Sequence, residues 1–105
     1  MELFCRTRKA TIPVFIVPEG TMEVPILPYW IAKLRETGQM VICKNKKGLN
    51  CYAFLNNNFD LIEKPLWLQY TVQPVGHYIL LIEPDTLLMM PAERFKEEYE
   101  VEARD

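Results

Sequence analysis

Proline and glycine cut this chain into short apolar segments: eight Pro and four Gly within 105 residues leave few stretches long enough for a helix. Strand-length segments therefore dominate, with room for two short helices. The expected class is α+β, strand-rich and mainly antiparallel, in one domain spanning residues 1–105. Half of the residues are apolar and a quarter are charged, a globular rather than a disordered composition.

Thr11 to Val17 (TIPVFIV) is β-branched and apolar, the pattern of a strand, and Pro13 within it predicts an edge position or a bulge. Pro18, Gly20, Pro25 and Pro28 then predict a connecting loop. Pro28 to Thr37 reads as a short helix with Pro at its first position, Trp30, Ile31 and Leu34 on one face, and Gly38 as its stop. From Gln39 to Leu55 the pattern turns to a hairpin whose loop is Lys46-Lys47-Gly48. That loop sets Asn45 opposite Leu49, Cys43 opposite Cys51, Ile42 opposite Tyr52 and Met40 opposite Phe54, so the large apolar pairs share a face. After a polar break at Asn56-Asn57-Asn58 and Asp60, three further strands are expected at Leu66 to Val72, His77 to Glu83 and Thr86 to Met90, apolar enough for both faces to be covered. Pro91 to Tyr99 reads as a terminal helix docked by Phe95 and Tyr99. The acidic tail beyond it is expected to fray, because negative charge is unfavourable at a helix C-terminus.

The chemistry the residues permit is narrow. Serine is absent, which excludes a serine nucleophile, and the four glycines lie too far apart to cradle a phosphate. Cys43, Cys51 and His77, with Cys5 as a fourth ligand, define the conceivable zinc or thiol site, but their spacing matches no standard zinc module. No cofactor or metal is therefore expected, and no enzyme. Glu93, Glu97, Glu98, Glu100, Glu102 and Asp105 read as a solvated acidic face. Arg6, Arg8 and Lys9 precede an apolar run that Pro13 interrupts, so the segment reads as a strand rather than a secretory leader. With three cysteines in no paired spacing, the expected location is the cytoplasm. No segment has the length of a membrane span.

Net charge is −2 and unevenly spread: eight Lys/Arg against four Asp/Glu in residues 1–47, and four against ten in residues 48–105, give +4 and −6. Two function classes remain. One is a protein-interaction module using an apolar patch at Trp67, Leu88, Met89 and Met90, which binds a partner protein and is able to form a homo-oligomer. The alternative is a small nucleic-acid or nucleotide-binding protein using Lys44, Lys46 and Lys47 at the hairpin tip, which the acidic pI of 5.4 disfavours.

Arg8-Lys9 leading into Thr11 to Val17, then Gln73-Pro74-Val75-Gly76-His77-Tyr78-Ile79, and finally Phe95-Lys96-Glu97-Glu98-Tyr99-Glu100 follow one another in an order that resembles a class of small phage and prophage accessory proteins. These have a Pro-Gly-Asp-Tyr-Ile-like strand and a Phe-Glu-x-x-Tyr-Glu-like ending. His77 stands where the pattern has Asp, and Val75 is inserted before the glycine. The resemblance implies a phage-encoded module that binds or inhibits a host protein or defence component in the host cytoplasm. It carries no catalytic motif.

Overall fold

A computed structural model describes residues 2–6, 11–55, 70–83 and 86–104. Along the chain the elements are β1 (Glu2–Arg6), β2 (Thr11–Ile16), α1 (Tyr29–Glu36), β3 (Met40–Lys44), β4 (Asn50–Leu55), β5 (Tyr70–Val72), β6 (Tyr78–Glu83), β7 (Thr86–Met90), α2 (Ala92–Glu98) and β8 (Val101–Arg104). This is an α+β chain with antiparallel sheets, as the short apolar segments predict. Two compact units divide it, one from Met1–Glu19 with Pro74–Asp105 and the other from Gly20–Gln73.

The first unit is a five-stranded sheet in the order β7-β6-β2-β1-β8. Alternation along the strands sends Cys5, Ile12, Val14, Tyr78, Leu80 and Met90 to one core, where Phe95 of α2 joins them. The Phe95 ring stacks on Tyr78 at 4.2 Å between centroids and on Tyr99 at 5.3 Å, so the two rings do dock the helix. On β2 and β6 the alternate residues Phe15 and Ile79 are buried as well. Both faces are thus buried along Tyr78–Leu80 of β6, but Ile82 further along it is 38% exposed, on β7 Leu88 is 39% exposed, and on β5 Thr71 and Val72 are exposed.

Three local features fix this unit. Pro74 O accepts the His77 N–H at 3.1 Å across a turn whose third residue, Gly76, has φ +88°. Gly76 N–H then donates to Val17 O while Val17 N–H donates to His77 O, a glycine bulge that starts β6 beside β2. Second, Pro13 lies inside the sheet rather than at its edge. Antiparallel alternation points its donorless nitrogen toward β6, and the β2–β6 pairing already stops at Val14↔Leu80, so no ladder bond is lost. Third, the tail after α2 does not fray. The helix ends at Glu98, Tyr99 is extended, and Val101–Arg104 pairs with β1, setting Val101 against Cys5 and Glu102 against Phe4. The unfavourable helix dipole acts only on the last turn; three residues further on, the β1 backbone offers a full ladder.

The second unit is a three-stranded sheet, β3-β4-β5, with α1. The β3–β4 register is the one expected, from Met40↔Phe54 through Cys43↔Cys51 to Lys44↔Asn50. Asn45 sets the loop: its N–H donates to Leu49 O, its carbonyl accepts from Gly48, and its Oδ1 accepts from the N–H groups of Lys47 and Leu49. Gly48 at φ +78° supplies the left-handed residue. Met40, Tyr52 and Phe54 are buried on one face, and Ile31 and Leu34 are the buried residues of α1. Pro28 is the N-cap of α1 rather than its first residue. Gly38, at φ +81°, closes the helix: its N–H donates to Arg35 O and the Gln39 N–H to Leu34 O. The polar break at 56–60 and the first part of the expected 66–72 strand lie outside the described residues.

Candidate interaction surface

The reactive side chains are dispersed. Cys43 and Cys51 face each other across the β3–β4 ladder, whereas Cys5 and His77 belong to the other unit. All three thiols are free, and among the described residues no three His, Cys, Asp or Glu side chains form a metal-holding group. Cys5 is fully buried, and that burial raises its thiol pKa above 9.0, which makes it a core residue with little thiolate. Glu93, Glu97, Glu98 and Glu100 are exposed. Some of these line an open groove with Arg6, Lys96 and Tyr99, where Arg6 meets Glu102 at 3.4 Å in an ion pair too wet to contribute much.

Lys44, Lys46 and Lys47 are exposed at the hairpin tip. The Lys44 ammonium donates to Met22 O at 2.8 Å, and Tyr52, the aromatic nearest in the hairpin register, is 1% exposed with its ring in the core. Base stacking needs an open ring face, and Tyr52 does not offer one.

Among the described residues, a different segment concentrates exposed large apolar side chains. Residues 21–26 are all exposed, and within them Met22 is 74% exposed, Val24 42% and Ile26 wholly so; Tyr29, at the start of α1, is 72% exposed. This ridge is anchored at its base. Asn50 N–H donates to Thr21 O at 2.9 Å, Lys44 holds the Met22 carbonyl, and the Thr21 hydroxyl donates to Glu23 O. Gly20 lies so close to β4 that a Cβ there would come within 2.9 Å of Asn50 O. Pro25 and Pro28 restrict the backbone beyond. Sequence reading takes the segment as a plain connection because of its prolines; the signal it passes over is the alternation Met22, Val24, Ile26 inside a loop, where water-exposed turns are ordinarily polar.

The expected partner patch is divided by the structure. Leu88 is 39% exposed and Met89 half-buried on β7, while Met90 is core, 2% exposed beside Tyr78, Leu80 and Phe95. Trp67 lies outside the described residues. β7 is also a sheet edge, and from Thr86 to Met90 it contains neither a charged residue nor a proline.

Comparison with protein-family models, curated proteins and solved structures finds no match to this chain. Among the described residues no helix is long and apolar enough to cross a membrane.

Proposed function

We propose that this chain is a non-enzymatic protein-interaction module that seats the ridge of Met22, Val24, Ile26 and Tyr29 in an apolar groove of a partner protein. The observation that carries this reading is the full exposure of Ile26 on a segment tethered at its base. A large apolar side chain held in water has no folding role, and burying it against a partner returns about 1.5–3 kcal/mol. Tethering lowers the conformational entropy that docking must overcome. Tyr29, with the Lys33 ammonium 5.9 Å from its ring centroid, adds the aromatic type that dominates binding hot spots. The resemblance of the chain's ends to small phage accessory proteins supports a host protein, in the host cytoplasm, as the partner.

The test is capture by immobilised protein, followed by affinity measurement with the recovered partner. Ile26→Ser, a change at a position without packing neighbours to lose, is expected to weaken binding by about 10- to 100-fold, the equivalent of the burial energy above. Recovery of no stoichiometric partner, or an affinity that Ile26→Ser and Tyr29→Ala leave unchanged, overturns the proposal.

A further inference from the structure

We infer that β7 pairs with β7 of a second copy of this chain, antiparallel about a two-fold axis at Leu88. The argument starts from which backbone groups face outward. The Val17–His77 hydrogen bond at the glycine bulge makes that pair a hydrogen-bonded one, so along the β2–β6 register Phe15↔Ile79 is the next. Ile79 therefore directs its N–H and C=O toward β2, and Tyr78 and Leu80 direct theirs toward β7. Their partners there are Met90 and Leu88. The two residues left with N–H and C=O on the open side are Leu87 and Met89.

That pattern is self-complementary. With the axis at Leu88, Leu87 of one copy lies opposite Met89 of the other, twice over, and all four donors and four acceptors find partners in four interchain hydrogen bonds. Leu88 meets its own copy in a non-hydrogen-bonded pair, where side chains approach most closely, and its 39% exposed surface is covered. Charge agrees with geometry: β7 carries no Asp, Glu, Lys or Arg to repel an identical strand. The opposite edge strand, β8, carries Glu102, whose carboxylate is paired with Arg6, and a charge on an edge strand discourages pairing. This contact does not involve the ridge, so each surface is tested by its own variants.

Sedimentation over a concentration series is the first measurement, and the wild-type mass is expected to rise from 12.4 kDa toward twice that value. Register is read by disulfide capture with diamide as oxidant, in a background where Cys43 and Cys51 are replaced by Ser. Leu88→Cys places two thiols on facing residues about 4.5 Å apart at Cα, within disulfide reach, whereas Leu87→Cys places them on a diagonal of roughly 7–8 Å. A covalent dimer is expected in high yield from the first and low yield from the second. Leu88→Lys, at a position already 39% exposed, is expected to leave a monomer with an unchanged circular dichroism spectrum. A wild-type protein that stays monomeric up to about 1 mM, far above the weak micromolar range, or equal crosslinking of the two cysteine variants, overturns the inference. Either result leaves the ridge proposal standing.

Discussion

Asn50 offers the sharpest test of the physical reasoning. It opens β4 on the same face as Tyr52 and Phe54, is 3% exposed, and neither its Oδ1 nor its Nδ2 has a hydrogen-bond partner. Its backbone is well held by the Thr21 carbonyl, so the position is fixed while the amide group is stranded. Leaving a buried amide unsatisfied costs about 1–3 kcal/mol. Leucine has the same branching and replaces the two stranded atoms with methyl groups. Asn50→Leu should therefore stabilise the protein by about 1–3 kcal/mol, which for a chain of this size is a rise in Tm of about 4–20 °C. In urea, with a slope of about 1–3 kcal/mol/M, the midpoint should move up by roughly 1 M without a change in slope. Asn50→Ala is the control: it removes the same polar atoms but leaves a void, and should give a smaller gain. A lower midpoint for the leucine variant would refute the reasoning and show that in solution the amide holds a partner such as an ordered water.

Further expectations concern the helix stop and the ionisable groups. Gly38→Ala puts a Cβ on a residue at φ +81° with only the Tyr70 hydroxyl at 4.0 Å, so space is not the obstacle and the left-handed backbone alone should cost about 1–2 kcal/mol, read as a lower urea midpoint. Burial raises the folded pKa of Cys5 above 9.0 and of Tyr52 above 10.0, the latter partly countered by the charge of Arg35. Each group then contributes stability that is complete below its unfolded pKa and is lost as pH rises through the folded value, so the urea midpoint should fall progressively above about pH 9; a flat profile to pH 11 would contradict it. Thiol labelling should be graded, with Cys43 fastest, Cys51 slower, and Cys5 reacting only as fast as the protein unfolds.

What the sequence made legible was local. The β3–β4 register follows from one loop, because Gly48 and Asn45 permit only one closure and period-two alternation then propagates it strand-long. The ends of α1 are equally readable, since Gly38 is the only residue nearby that takes φ +81° without cost. The failures were long-range. Pro13 argued for an edge because it lacks a donor, but whether that donor is missed depends on where a strand 65 residues later stops pairing. The tail Val101–Arg104 looked like a fraying helix end because its partner, β1, lies at the far end of the chain. The ridge escaped notice for a related reason: exposure is a property of the folded surface, and Met22, Val24 and Ile26 are apolar residues that core burial would have explained as well. Met90 shows the converse, a residue in an apolar run that only the docking of Phe95 assigns to the core.

If β7 pairs with its own copy as inferred, the two edges of the five-stranded sheet set how far that assembly can grow. A sheet with two bare edges would add copies without end, as fibrils do, because each new strand presents the same template as the last. Here one edge, β8, carries the Glu102 carboxylate, while the other, β7, carries no charge. Pairing β7 with its own copy uses up the open edge of both molecules and leaves a charged β8 at each end, so the ten-stranded product is closed and two-fold. Dimerisation would also place two ridges on one particle, and a second docking event on the same partner would then be intramolecular, raising apparent affinity without any new contact. Leu88→Lys should therefore weaken capture by a surface dense in partner while leaving the affinity for partner free in solution unchanged, a separation that binding through the β7 edge itself would not produce.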